Sequence, residues 1–121
     1  MKETAEIIDP GFAVADGERL SLATEGEDLK LSFLDWNARN VTAIFVNAIS
    51  YRWDRLDWAY LEEERYDASH IIHNSDWLQQ HVDQRSIENN ERYNHYRLNF
   101  NAAGTLQVIA REIKVITDPS S

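Results

Sequence analysis

His95-Tyr96-Arg97-Leu98-Asn99-Phe100 is followed, after Asn101-Ala102-Ala103, by Gly104-Thr105-Leu106-Gln107-Val108-Ile109-Ala110. Tyr96, Leu98 and Phe100 alternate with His95, Arg97 and Asn99. Leu106, Val108 and Ala110 continue the alternation. A period of two puts the apolar side chains on one face of a strand and the polar ones on the other. The link ends in glycine, which adopts positive φ readily, so the two runs predict an antiparallel hairpin across the turn at 101–104. His95 reads as an outward strand residue.

Beyond the hairpin, Ile113, Val115 and Ile116 follow Arg111-Glu112 with the parity shifted by one, which predicts a bulge near Arg111. Asp118-Pro119-Ser120-Ser121 reads as a frayed tail. Upstream, Asn74-Ser75 opens a helix. Ser75 is a good N-cap, and Asp76 stands where the helix dipole favours an anion. Trp77, Leu78 and Val82 share a face, His81 meets the sheet edge, and the helix is expected to end near Arg85. Ser86 to Arg92 reads as a polar loop. Ala68 to His73 reads as a short strand.

In the first half, Leu20 and Leu22, then Leu29, Leu31 and Phe33, alternate with polar neighbours around the turn Glu25-Gly26-Glu27-Asp28, which predicts a second hairpin. Asp35 to Asn40 reads as a polar connection. Val41 to Tyr51 is rich in β-formers on both faces and predicts a central strand covered on both sides. Residues 52–66 fit helical and strand spacing equally.

The expected fold is α+β: a single domain over residues 1–121, built on a mainly antiparallel sheet of about five or six strands with one short helix packed on it. Residues 1–17 and 118–121 are expected to be loosely ordered. The expected core includes Leu29, Leu31, Phe33, Ile44, Val46, Trp77, Leu98, Phe100, Leu106 and Val108.

Composition removes several function classes. Four Gly and two Pro exclude a collagen-like or linker chain, and no Cys excludes disulfide scaffolds and thiol chemistry. No apolar run approaches the roughly 18–20 residues of a membrane helix. A net charge of −9 disfavours nucleic acid and anionic membrane surfaces and steers a basic partner inward. That charge lies mostly in residues 1–35 and 54–67, whereas residues 36–53 hold Arg39 and Arg52 and no acid. The opening Met1-Lys2-Glu3-Thr4-Ala5-Glu6 lacks an apolar leader core, so a cytoplasmic location is expected.

His70 and His73 form an H-x-x-H pair, but an odd spacing on a strand sends the rings to opposite faces, so no metal site is expected. No nucleophile, phosphate-loop or dinucleotide motif occurs, so no catalytic residue and no cofactor is assigned. The most unusual stretch is Tyr51-Arg52-Trp53-Asp54-Arg55-Leu56-Asp57-Trp58-Ala59-Tyr60, followed at once by Leu61-Glu62-Glu63-Glu64. Trp, Tyr and Arg dominate binding hot spots. Arg52, Trp53, Trp58 and Tyr60, rimmed by Glu62, Glu63 and Glu64, are the expected interaction surface. The competing reading places these rings at the edge of the core.

The hairpin sequence, with His73-Asn74-Ser75-Asp76-Trp77-Leu78 before it, resembles the C-terminal part of small uncharacterised bacterial α+β proteins. Some of these are immunity proteins of bacterial toxin systems. The likeness covers roughly the last 50 residues and brings no catalytic residue. It implies a small, acidic, cytoplasmic and catalytically silent protein. The expected function is a non-enzymatic, acidic protein-binding module, immunity-like or regulatory, for a basic protein partner. The alternatives are a small enzyme or ligand-binding domain with a cleft between sheet and helix, and a homo-oligomer that buries its aromatic patch.

Overall fold

The computed structural model describes residues 2–55, 60–84 and 93–117. The elements run in the order β1 (Thr4–Ile8), β2 (Glu18–Glu25), β3 (Asp28–Leu34), β4 (Asn40–Val46), β5 (Ser50–Asp54), β6 (Ser69–His73), α1 (Asp76–Asp83), β7 (Asn94–Phe100), β8 (Gly104–Ala110) and β9 (Glu112–Thr117). Among the described residues every strand pairing is antiparallel. The architecture is mainly antiparallel sheet with one short helix.

The strands make two sheets rather than one of five or six strands. Five are ordered β1-β6-β7-β8-β5 and four are ordered β2-β3-β4-β9. Their apolar faces pack together. Leu29, Leu31, Phe33, Val41, Ala43 and Phe45 from one sheet meet Tyr96, Leu98, Phe100, Leu106, Val108 and Ala110 from the other. Phe33 meets Phe100 edge-on at 5.2 Å, and Phe45 meets Tyr96 at 5.9 Å.

Two corners explain why one sheet was expected. The run from Val41 to Tyr51 is not a single central strand. It breaks at Asn47, which holds φ +52. Asn47 N–H donates to Asp28 Oδ1 (2.9 Å), and Ile49 N–H donates to Ile109 O (2.8 Å). β4 therefore ends in one sheet and β5 begins in the other. At Arg111 the chain crosses back: Arg111 N–H donates to Val46 O (2.9 Å), and β9 pairs with β4. The parity shift after Ala110 is this crossing, not a bulge within one strand.

The corner also re-sorts the expected core. Val41, Ala43 and Phe45 point inward, so Ile44 and Val46 lie half-buried on the outer side of β4. Trp77 is also outside this core. It is half-buried on α1, with its ring edge-on to His95 at 5.1 Å. The N-terminal segment is more structured than expected for residues 1–17, since β1 pairs with β6 and Val14 is fully buried. The expected tail at 118–121 and the loop at 86–92 lie outside the described residues.

The expected hairpins are present as β2–β3 and β7–β8. Gly104 holds φ +143. The helix begins as expected: Ser75 keeps extended backbone (φ −67, ψ 121), and its Oγ accepts from Leu78 N–H at 3.0 Å. Glu3 adds a second cap, Oε2 accepting from Asp76 N–H at 2.8 Å.

Candidate functional site

The outer face of the five-stranded sheet carries polar residues in cross-strand rungs. Arg52 pairs with Gln107, Gln107 with Arg97, and Arg97 with His70. In the next rung Asp54 faces Thr105, and Thr105 faces Asn99. Strand alternation puts all of them on the side opposite Leu98 and Leu106. His95 lies on this outer face, as expected, but the face is not in water. His70, His95, Arg97, Asn99, Thr105 and Gln107 are all buried. Glu64, Arg65 and Ala68 bond to this face, and Ser75 and Trp77 at α1 meet His95, so this part of the face is an interior.

Burial makes an unpaired polar group costly here. Arg97 Nη1 donates to Glu64 Oε1 at 2.8 Å, and Arg97 Nε to Gln107 Oε1 at 3.0 Å. The same Gln107 oxygen is 2.7 Å from His95 Nε2. It is an acceptor, so Nε2 carries the proton, and Nδ1 accepts from Ser75 Oγ at 2.6 Å. Asn99 Nδ2 donates to Glu64 Oε2 (2.8 Å) and to Arg65 O (2.7 Å), and Thr105 Oγ1 donates to Asn99 Oδ1 (3.1 Å). An unbroken series of hydrogen bonds therefore joins Glu64 to the N-cap of α1.

His70 is locked the other way. Its Nε2 accepts from Arg65 N–H at 3.0 Å, so Nδ1 bears the proton toward Arg97 O at 3.3 Å. Burial holds both imidazoles below their ordinary pKa, and His95 is pushed down to about 4.

Ser75 and His95 are in contact, but they are not a nucleophile and its base. Ser75 Oγ is engaged as a helix cap, the group behind His95 is an amide rather than a carboxylate, and an imidazole titrating near 4 is a weak base. A groove of about 370 Å³ does lie between α1 and the ends of β6 and β7, lined by His73, Ser75, Asp76, Gln79, Asn94 and His95. Its imidazoles are already engaged, His73 by Glu6 at 2.7 Å and His95 within the network. His70 and His73 face opposite sides of β6. Among the described residues no three His, Cys, Asp or Glu side chains converge as metal ligands.

The aromatic-acidic stretch divides. Trp58 lies outside the described residues. Trp53 turns inward, half-buried, its ring 6.3 Å from Phe100 and close against Gly104. Its assignment to the interaction surface is therefore corrected to the edge of the core. Arg52 is exposed on the outer face, 3.7 Å from Asp54. Glu62 and Glu63 are exposed, and Tyr60 is 44% exposed.

Glu64 is no part of an acidic rim: its side chain is 0% exposed. Three consecutive glutamates look alike in sequence. Only this one accepts from Arg97, from Asn99 and from Leu61 N–H (3.0 Å).

No family model, curated protein or solved structure matches this chain.

Two exposed aromatics escaped the sequence reading. Tyr66, 59% exposed, follows the pinned Arg65 backbone. Trp36, 63% exposed, caps the β3–β4 turn. That turn is braced by Asp35, whose Oδ1 accepts from Asn37 N–H and Arg39 N–H, both at 2.9 Å. Burial alone would raise the Asp35 carboxyl. The backbone donors of Arg39 and Asn37, with the Arg39 guanidinium, outweigh it and hold the carboxyl below its ordinary value.

Proposed function

We propose that this chain is a non-enzymatic protein-binding module, immunity-like or regulatory, that engages a basic protein partner through residues 60–66. The observation that supports this reading is the buried carboxylate of Glu64 beneath an exposed Tyr60, Glu62, Glu63 and Tyr66. A buried ion pair is a weak source of net stability but a strong constraint on geometry. Here it ties a surface segment to the rigid sheet at Glu64 and at both backbone groups of Arg65. Ordering entropy is then spent on folding and not on association, which favours affinity. The tyrosines provide anchoring area and the two free carboxylates provide steering.

The test uses the purified product of the neighbouring gene and titration calorimetry. A stable complex with the wild-type chain is expected, weakened by Tyr66→Ala with Tyr60→Ala while the fold, read by circular dichroism, is unchanged. A complex indifferent to both tyrosines would overturn this surface.

A further inference from the structure

β5 is the last strand of the five-stranded sheet, and among the described residues no strand pairs with its far edge. An open edge is a row of unused backbone donors and acceptors, and proteins blunt such rows with bulges, prolines or repelling charges. The β2 edge of the other sheet is blunted in this way: its register shifts between Glu18 and Ser21, where Arg19 holds φ +56. β5 keeps an unbroken register with β8 over all five of its residues, Ser50-Tyr51-Arg52-Trp53-Asp54, and contains no proline. Its two charges, Arg52 and Asp54, are of opposite sign. Their side chains remain 52% and 35% exposed, and Tyr51 beside them is 45% exposed.

We infer that the β5 edge pairs with the β5 edge of a second copy of this chain. Two identical strands related by a two-fold axis run antiparallel. Keeping the outer faces of both sheets on one side requires the axis to pass through a residue, because a one-residue slip turns every side chain over. Centred on Arg52, guanidinium opposes guanidinium. Centred on Asp54, carboxylate opposes carboxylate. Centred on Trp53, Arg52 of each copy opposes Asp54 of the other, and Tyr51 opposes the exposed Arg55. Charge complementarity therefore selects a second copy as occupant and Trp53 as the centre. Tyr, Trp and Arg are also the residues that carry most binding energy at interfaces. β9 offers a similar match at Glu112 and Lys114 but has no aromatic residue. The β5 edge lies apart from residues 60–66, so self-pairing is a separate property from the partner binding proposed above. A five-residue edge is a small interface, and the dimer is populated at roughly 100 μM and above.

The experiment is sedimentation velocity of the full chain over a hundredfold concentration range reaching about 1 mM, with hydrogen exchange measured at both ends. A monomer–dimer equilibrium is expected, with slower exchange at high concentration in the β5 amides that do not bond β8. Arg52→Asp and Asp54→Arg each place like charges opposite one another and should weaken the dimer about tenfold or more. An equal mixture of the two variants restores both opposite-sign pairs and should recover the wild-type dimer. A chain that stays monomeric throughout, or concentration-dependent protection at β9 or at residues 60–66 instead of β5, would overturn the inference, and both results need only the wild-type protein. Folded variants whose mixture does not recover would overturn the Trp53-centred register.

Discussion

Glu64 and Arg97, 33 positions apart, form a buried ion pair with Oε1 2.8 Å from Nη1. Removing one partner leaves the other charged and dry. Glu64→Ala is therefore expected to cost about 3–5 kcal/mol. Glu64→Leu combined with Arg97→Met should cost less than either single change, because neither charge is then stranded. Urea unfolding of the four proteins checks this.

Acid should weaken the fold before its carboxylates titrate. The folded-state pKa of His95 is depressed to about 4, and that of His70 is also depressed. The unfolded chain takes up these protons near pH 6.5, and the folded chain does not. Stability is fully present above about 6.5 and is lost as pH falls from there toward 4. His95 alone contributes about 3 kcal/mol to this slope. His95→Gln should flatten it, measured as urea midpoints between pH 7 and pH 4.

Trp53 and Trp36 should behave oppositely on truncation. Trp53→Ala opens a gap beside Phe100 and Gly104 and is expected to cost about 3 kcal/mol or more. Trp36→Ala removes an exposed ring and should change stability by less than about 0.5 kcal/mol. Thermal unfolding of both variants tests the core assignment of Trp53 without any partner.

Gly104→Ala should be severe. The residue holds φ +143, and an added Cβ would meet the Asp54 carbonyl oxygen, with Trp53 Cζ2 at 2.9 Å. Strain at the turn and a clash with β5 together predict a loss of about 3 kcal/mol or more. A melting temperature within a few degrees of wild type, about 1 kcal/mol or less, would contradict this.

What the amino-acid order determined by itself is local. The alternation at Tyr96, Leu98 and Phe100, the turn at Gly104, the Ser75 cap and the opposite facing of His70 and His73 all follow from the period of two or from helix-end chemistry. Those rules need only near neighbours. Tertiary structure decided the rest. Alternation shows that His95, Arg97 and Asn99 share a face, but it cannot show whether water or another segment covers that face. The segment holding Glu64 and Arg65, with Ser75 and Trp77 at α1, lies over it, and the choice of Glu64 over Glu62 and Glu63 as the buried carboxylate depends on Arg97 and Asn99, more than 30 positions away. The corners at Asn47 and Arg111 were invisible for a related reason. A strand that changes sheet keeps its β-forming composition: the inward parity runs on unchanged through Asn47 and shifts only at Arg111, and only the partner strands reveal that two sheets, not one, enclose the core.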